Sequence, residues 1–245
     1  MESAAQALAS ERHWISRLAL PFTIAPHELH LWLVALDCPT LSLAGLRKLL
    51  PPDECERADR FLVDVARRAF VASRGALRIT LSHYLQVDPQ EIRFDYTEKG
   101  KPFLTSSDGA NPIRFNLSHS GKCALIVIAN SHEVGVDIEL IQDRPDLYET
   151  AGRFFSQGEQ ALLERLPPLE RHSAFYRIWT HKEAVLKAAG QGITAGLRAP
   201  DLTAATEPRV SGKASLIEHG GLRWLVQGLE PAPGYEGAVA VEMEP

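Results

Sequence analysis

Two short segments, GVDIE at residues 135–139 and WTHKEAVLKAAG at residues 179–190, contain the information that decides the fold of this chain. The first has the side-chain period of a strand, which places Asp137 and Glu139 on the same face. The second has the period of a helix, on which Glu183 and Lys187 lie one turn apart. Three carboxylates and a lysine at these spacings could hold a hard divalent cation against a ligand that carries phosphate.

Each segment by itself also has a purely structural interpretation. A DxE pair is most often the polar face of a half-buried strand, and a Glu–Lys pair on a helix is most often a surface ion pair. Two adjacent carboxylates repel each other, however, and a cation such as Mg²⁺ removes that cost. In the functional interpretation Glu183 completes a metal site or acts as a base, Lys187 neutralises phosphate, and the neighbouring Lys182 supports packing.

Composition excludes several classes of protein. The chain has 245 residues, which is long for one domain and short for two. Its net charge of −5 provides no global positive field, so we expect neither nucleic acid nor a membrane as a partner. Three scattered cysteines without a CxxC pair indicate reduced thiols. The pattern of a signal peptide is absent and the longest apolar run, residues 124–129, is short, so we expect a soluble, cytoplasmic protein.

Periodicity and turn residues predict an α+β chain. Residues 1–26 form an N-terminal extension with a short helix that ends near Pro21. The polar link near Ser131 separates two halves, residues 27–131 and 132–245. Helices are predicted at residues 52–85, 156–166 and 170–189, and strands at residues 29–36, 92–96, 113–117, 123–129, 134–140, 209–217, 222–227 and 237–242.

The helix predicted over residues 52–85 begins at a double proline and has a break or bend near Gly75. Its apolar stripe consists of Phe61, Val65, Ala69 and Ala72. Its basic residues, most simply read as a solvated face, are Arg67, Arg68 and Arg74.

Arg68, or Lys101 in the GKP turn, could instead pair with phosphate. The segment FNLSHSG, residues 115–121, gives a second possible anion site. Asn116 and Ser118 face away from the core, and His119 begins a polar turn that suits either anion binding or ordinary hairpin chemistry.

Taken in order, the basic helix, GKP, FNLSHS, GVDIE, RFFS and WTHKEAVLK resemble the Sfp-type 4′-phosphopantetheinyl transferases, the two-halved branch of that superfamily. The family patterns (V/I)G(V/I)D and (F/W)xxKE(A/S)xxK match residues 134–137 and 179–187. The resemblance covers residue 29 to the C-terminus and is strongest over residues 100–190. It implies two similar α+β halves related by a pseudo-twofold axis, a ligand in the cleft between them, and a monomer.

The resemblance also implies a reaction. Such enzymes move the phosphopantetheine arm of coenzyme A to a serine of an apo acyl or peptidyl carrier protein and release 3′,5′-ADP. By position, Glu183 is the expected base and Lys187 the lysine that faces the pyrophosphate. The expected ligands of Mg²⁺, for which Mn²⁺ is also suited, are Asp137, Glu139 and Glu183.

The same matching gives the expected contacts to coenzyme A. Ser118 and His119 fall on the phosphate-binding positions, and Lys101 lies near the adenylate end. Arg68 matches the arginine that reaches the 3′-phosphate. Because Arg67 directly precedes it, the match leaves open which of the two arginines makes this contact. Because the stretch DECERADRF has fewer basic residues than relatives carry, the 3′-phosphate is also expected to rely on Arg57.

Two other functions compete with this interpretation. A hydrolase that cleaves the pyrophosphate of coenzyme A would use the same carboxylates with water as nucleophile. A binding module without activity would typically have lost a metal carboxylate or the lysine, and this chain retains all of them. The choice of carrier stays open, and residues 153–155 and 105–111 are candidates for its docking surface.

Overall fold

The computed structural model describes residues 22–38, 42–105, 112–191, 199–206 and 213–243. The helix predicted near Pro21 and part of the loop 105–111 therefore lie outside the described residues. In the first part of the chain the elements are β1 (Leu29–Ala35), α1 (Leu43–Lys48), α2 (Pro52–Asp59), α3 (Asp64–Leu85), β2 (Phe94–Tyr96), β3 (Pro102–Leu104), β4 (Ile113–Ser120) and β5 (Cys123–Asn130).

The second part begins directly after a short polar link. Its elements are β6 (Val134–Leu140), α4 (Leu147–Phe154), α5 (Gln157–Arg165), α6 (Pro168–Ala188), α7 (Thr203–Thr206), β7 (Ala214–His219), β8 (Leu222–Leu229) and β9 (Tyr235–Met243). The described strands form an antiparallel three-stranded sheet in the order β1-β5-β4, an antiparallel four-stranded sheet in the order β6-β9-β8-β7, and the hairpin β2-β3. The α+β class is confirmed.

One long helix packs on each sheet. Helix α3 buries Leu77 and Leu81 against β1, β4 and β5. Helix α6 buries Val185 against Trp224 and Val226 of β8. A third cluster joins the two sheets, because β5 contributes Leu125 and Val127, β6 contributes Val134, Val136 and Ile138, and β9 contributes Val239. The two parts of the chain therefore share a core and meet along β4, β5 and β6.

The prediction of a helix from residue 52 to residue 85 with a break or bend near Gly75 was wrong. The chain leaves the helical conformation between α2 and α3, and α3 continues through Gly75 without a break. A Cβ at Gly75 would lie 2.8 Å from Cβ of Leu46, so the glycine allows α1 to approach rather than bending α3. Val65, expected in the apolar stripe, is 73% exposed, and the buried face begins only at Phe70.

Two further observations concern the cysteines and the helices. Cys38, Cys55 and Cys123, which all lie in the described ranges, are not joined by disulfides. None of the described helices combines the length and the apolarity that crossing a membrane requires.

Candidate active site

Strands β4 and β6 lie side by side where the two sheets meet, and polar side chains of β4 connect them. Asn116 Oδ1 accepts the backbone N–H of Val136 at 3.0 Å, and Ser120 Oγ accepts that of Leu140 at 3.1 Å. Together with Ser118, these alternate residues of β4 form a line of contacts, here called the seam. Strand β4 therefore extends through Ser120, which the sequence had placed in a turn.

Lys187 reaches into the seam from α6. Its Nζ donates to Asp137 Oδ1 at 2.6 Å, to Ser118 Oγ at 2.9 Å and to the carbonyl of Val136 at 3.3 Å. Ser118 Oγ in turn donates to Asp137 Oδ1 at 2.7 Å. The ammonium charge thus sits at the junction of both sheets, beside a carboxylate that is only 3% exposed.

Glu183 lies one turn before Lys187 on α6 and is buried. Burial is the main cause that raises the pKa of its carboxyl to about 7; Lys187 opposes this shift, and the charges of Asp137 and Glu139 add to it. Burial, followed by the charge of Asp137, also raises the pKa of Glu139, whose Oε2 accepts a hydrogen bond from Ser120 Oγ at 2.7 Å. The three carboxyl groups predicted from GVDIE and from the helix therefore influence one another electrostatically.

The fit of these carboxylates to a metal ion depends on their unsatisfied oxygens. Within the described ranges, no three His, Cys, Asp or Glu side chains are close enough together to form a metal site on their own. Asp137 Oδ2 and Glu183 Oε1 are nevertheless buried without a hydrogen-bond partner among the described residues. Mg²⁺ takes a few carboxylate oxygens and fills its remaining positions with water and phosphate oxygens, so this donor set fits that ion.

His119 lies next to the seam, close to Arg74. Burial, together with the positive charges of Lys187 and Arg74, lowers the pKa of His119. Arg74, which the sequence had placed on a solvated face, is only 7% exposed. Its Nε lies 3.6 Å from Glu54 Oε1, and its Nη2 donates to the Tyr96 hydroxyl at 3.4 Å.

Arg57 belongs to the same basic region. The guanidinium carbons of Arg57 and Arg74 lie 5.3 Å and 5.9 Å from the ring centroid of Phe70. Arg57, Arg60 and Phe61 line an open pocket on the neighbouring surface. A region suited to an anion therefore extends from His119 towards α2.

The structure does not bring the other predicted basic residues into this region in the same way. The Arg68 side chain is exposed and forms no hydrogen bond or ion pair with another described residue. At about 100° per residue, Arg68 lies on the side of α3 opposite Phe70. Arg67 forms an exposed ion pair with Asp64. Lys101 Nζ donates to Glu133 Oε2 at 2.6 Å and to the carbonyl of Ala188 at 2.8 Å.

Sequence reasoning missed Ser120 and Arg74 for different reasons. Ser120 continues the alternation that had already singled out Asn116 and Ser118, so a longer strand would have included it. No signal in the sequence separates Arg74 from the exposed Arg67 and Arg68 of the same helix. Its burial depends on Phe70 and on Phe94, whose ring centroid lies 5.6 Å from the Arg74 guanidinium carbon.

Comparison with known proteins identifies the family. Residues 133–240 match the family model of the 4′-phosphopantetheinyl transferase superfamily, and residues 40–132 match that of the N-terminal region of 4′-phosphopantetheinyl transferases. The 4′-phosphopantetheinyl transferase HetI of Nostoc sp. is 42% identical over 171 residues, which cover 70% of this chain and 72% of HetI. The chain belongs to the 4′-phosphopantetheinyl transferase superfamily.

Other transferases are similar over comparable lengths. A putative 4′-phosphopantetheinyl transferase of Synechocystis sp. is 38% identical over 167 residues, 68% of this chain and 67% of the relative. The transferase Sfp of Bacillus subtilis is 31% identical over 145 residues, 59% of this chain and 62% of Sfp. The resemblance drawn from the motifs is thereby confirmed, and the enzyme is a phosphopantetheinyl transferase of the class that uses coenzyme A and acts on carrier proteins.

Proposed function

We propose that this transferase moves the 4′-phosphopantetheine group from coenzyme A to a serine of an apo acyl or peptidyl carrier protein in a Mg²⁺-dependent reaction that releases 3′,5′-ADP. One observation carries the proposal. The Lys187 ammonium is held in the seam by Asp137 and Ser118, one helical turn from Glu183, and two buried carboxylate oxygens beside it have no partner among the described residues.

The carboxylates are assigned to the metal. Asp137, Glu139 and Glu183 would hold Mg²⁺, and Mn²⁺ also suits oxygen donors. The bound ion would neutralise charge on the pyrophosphate and act as a template for its oxygens. Lys187 faces the same pyrophosphate, where its charge stabilises the departing 3′,5′-ADP.

Glu183 is assigned the proton transfer. The serine hydroxyl attacks the β-phosphoryl group, its proton passes to Glu183 directly or through one water, and the bond between the β-phosphorus and the oxygen bridging to the α-phosphate breaks. In the absence of a cation, burial raises the pKa of the Glu183 carboxyl to about 7. A bound Mg²⁺ would lower this pKa and keep the carboxylate in the ionised form that accepts a proton.

The basic and polar residues around His119 are assigned to coenzyme A. Ser118 and His119 would contact its phosphates, Lys101 would border the adenylate end, and Arg57 would approach the 3′-phosphate. Arg68, which the sequence had also assigned to the 3′-phosphate, is left out of this group because it lies on the side of α3 opposite Phe70. We add Arg74 to this group, because it is a buried cation beside His119 with one long hydrogen bond and one distant ion pair. A phosphate placed between His119 and Arg57 would give it a closer counter-charge.

The remaining assignments concern the whole enzyme. We propose halves at residues 27–131 and 132–245 preceded by an extension at residues 1–26, a monomer, and work in the cytoplasm. Carrier proteins are commonly acidic and the enzyme itself has a net charge of −5, so docking has to use a local apolar or basic surface.

Intact mass spectrometry of an apo carrier protein incubated with the enzyme, coenzyme A and Mg²⁺ tests the proposal. We expect the carrier to gain the mass of one phosphopantetheine arm, and the gain to disappear in EDTA. Coenzyme A cleaved without any gain on acyl and peptidyl carriers would indicate the hydrolase instead. An undiminished gain in excess EDTA would remove the metal from the reaction.

A further inference from the structure

Glu133 lies in the short link between β5 and β6 and connects three parts of the structure. Its Oε2 accepts a hydrogen bond from Lys101 Nζ at 2.6 Å, and its Oε1 accepts one from Arg114 Nε at 2.9 Å. Its backbone carbonyl accepts the N–H of Glu242 in β9 at 2.9 Å. The Glu133 carboxylate thus pairs with two cations from the first part of the chain, while the Glu133 backbone is bonded to β9 of the four-stranded sheet.

Lys101 also connects Glu133 to helix α6, which carries Glu183 and Lys187. The Lys101 side chain is only 11% exposed, and its ammonium also donates to the carbonyl of Ala188 at 2.8 Å. Ala188 is the last residue of α6, where carbonyl groups lack donors within the helix and a cation is favoured by the helix dipole. Lys187 immediately precedes it, so the β2–β3 turn holds the end of the helix that places Lys187 in the seam.

We propose that Glu133 is a positioning residue for the transfer reaction: it holds the Lys101 ammonium against the Ala188 carbonyl and thereby fixes the last turn of α6 and Lys187. This inference rests on the proposed function of Lys187. Without the carboxylate, the Lys101 ammonium would lose the counter-charge that lies 2.6 Å from it. Lys101 would then turn towards water and release the carbonyl, and Lys187 would lose its alignment.

The test compares Glu133→Gln, which keeps the size of the side chain and removes its charge, with Asp37→Asn. Asp37 forms an exposed ion pair of 2.9 Å with Lys122 and is a matched control remote from α6. For Glu133→Gln we expect a fall in kcat of roughly five- to tenfold, as a misaligned group produces. Binding of 3′,5′-ADP, measured by titration calorimetry, should weaken less than kcat falls, because Lys101 and Lys187, the cations assigned to this ligand, are still present and lose only their alignment.

Amide hydrogen exchange gives a readout that is independent of activity. The N–H groups of Ala189 and Gly190 bond to the carbonyls of Val185 and Lys187 at the end of α6. We expect these two amides to exchange faster in Glu133→Gln than in the wild-type enzyme and in Asp37→Asn. Wild-type exchange rates together with a wild-type kcat would overturn the proposal.

A double-mutant cycle with Lys101→Met separates positioning from direct recognition of the nucleotide. If Lys101 and Glu133 act as one unit, the double variant should lose no more kcat than Lys101→Met alone. Fully additive losses, with weaker binding of 3′,5′-ADP only where Lys101 is replaced, would contradict the proposal. Failure of the wild-type enzyme to transfer would refute the proposed function, while the exchange comparison would still decide the role of Glu133.

Discussion

At the scale of single residues, α6 buries four consecutive polar side chains, Thr180 to Glu183. Thr180 Oγ1 donates to the carbonyl of Arg177, and His181 Nδ1 lies 2.7 Å from the same carbonyl oxygen. Lys182 Nζ donates to both carboxylate oxygens of Glu159 at 2.8 Å. Glu183 Oε1 alone has no partner among the described residues, so it is the group of this buried run that is kept for a ligand or a proton.

Replacing Glu183 should therefore affect turnover much more than binding. For Glu183→Ala we expect transfer to fall by roughly 10²- to 10⁴-fold, the usual contribution of a general base. Binding of 3′,5′-ADP should persist, because its phosphates are assigned to other residues. Transfer rates by mass spectrometry and binding by calorimetry measure the two effects, with Glu170→Ala, exposed in the first turn of α6, as control. A variant with near-normal turnover would exclude Glu183 from proton transfer.

The ion pair between Lys182 and Glu159 is expected to contribute to stability. Both side chains are fully buried, and Lys182 Nζ also donates to the carbonyl of Pro200 at 2.6 Å. Lys182→Met would leave a buried carboxylate without its cation, which costs about 3–5 kcal/mol in the free energy of unfolding. Urea denaturation measures the loss, with the exposed Lys122→Met as control.

A second variant separates charge from packing at this pair. Lys182→Met combined with Glu159→Gln removes both charges, so it should be more stable than Lys182→Met alone. If the double variant is instead less stable by the sum of the two single losses, the uncompensated charge is not the cause.

At the scale of helices and strands, the sequence predicted the bounds of the elements that carry the candidate site better than those of the elements around them. Strand β6 and helix α6 were predicted close to their bounds, because β6 alternates between apolar and polar residues and the double proline at residues 167–168 marks the start of α6. Helices α1 and α4 were missed, since six and eight residues are too few to show a period. The break between α2 and α3 has no proline or glycine in RFLV, residues 60–63, so only tertiary packing determines it.

The contact between β6 and α6 depends on a glycine. A Cβ at Gly135 would lie 2.1 Å from the carbonyl oxygen of Ala184 and 2.4 Å from the backbone nitrogen of Ala188. Because both are backbone atoms of α6, Gly135→Ala has to push the helix away from β6, and Glu183 and Lys187 move with it. We expect transfer to be lost and the free energy of unfolding to fall by at least the 1–3 kcal/mol of ordinary overpacking.

Gly152→Ala is the matched control for this prediction. Gly152 lies in α4, where an added Cβ meets no atom within 4 Å, so the variant should keep its activity and gain slightly in stability from helix propensity. Thermal denaturation and transfer assays on both variants make the comparison. Equal behaviour of the two alanines would show that the close approach at Gly135 is not required.

At the scale of the whole molecule, the candidate site belongs to both sheets. Ser118 and His119 come from β4, Asp137 and Glu139 from β6, and Glu183 and Lys187 from α6. The sequence could identify these residues through their motifs, but not the side-chain contacts of the seam or the burial of Arg74. The seam depends on how the two sheets pack together, and the burial of Arg74 depends on the packing of Phe70 and Phe94 around it. Local periodicity contains neither.

A ligand that bridges the seam should stabilise the whole enzyme. Ligand at a hundredfold excess over its dissociation constant adds about 2.7 kcal/mol to the free energy of unfolding. At about 2–4 °C per kcal/mol for a chain of this size, that corresponds to a rise in Tm of roughly 5–11 °C. The metal is assigned to the carboxylates, and the pyrophosphate is assigned to the metal and to Lys187. We therefore expect coenzyme A with Mg²⁺ to raise Tm by more than the sum of the increases that each ligand produces alone.

The carboxylate of Asp137 is the source of this coupling. In Asp137→Asn the increase with coenzyme A alone should largely remain, while the additional increase with Mg²⁺ should disappear, because the amide lacks the charge that a hard cation requires. Thermal scans of both proteins with coenzyme A, in Mg²⁺ and in EDTA, measure the difference. If coenzyme A stabilises the wild-type enzyme equally in EDTA and in Mg²⁺, metal and coenzyme A do not share a site across the seam, and the assignment of Asp137 to the metal is wrong.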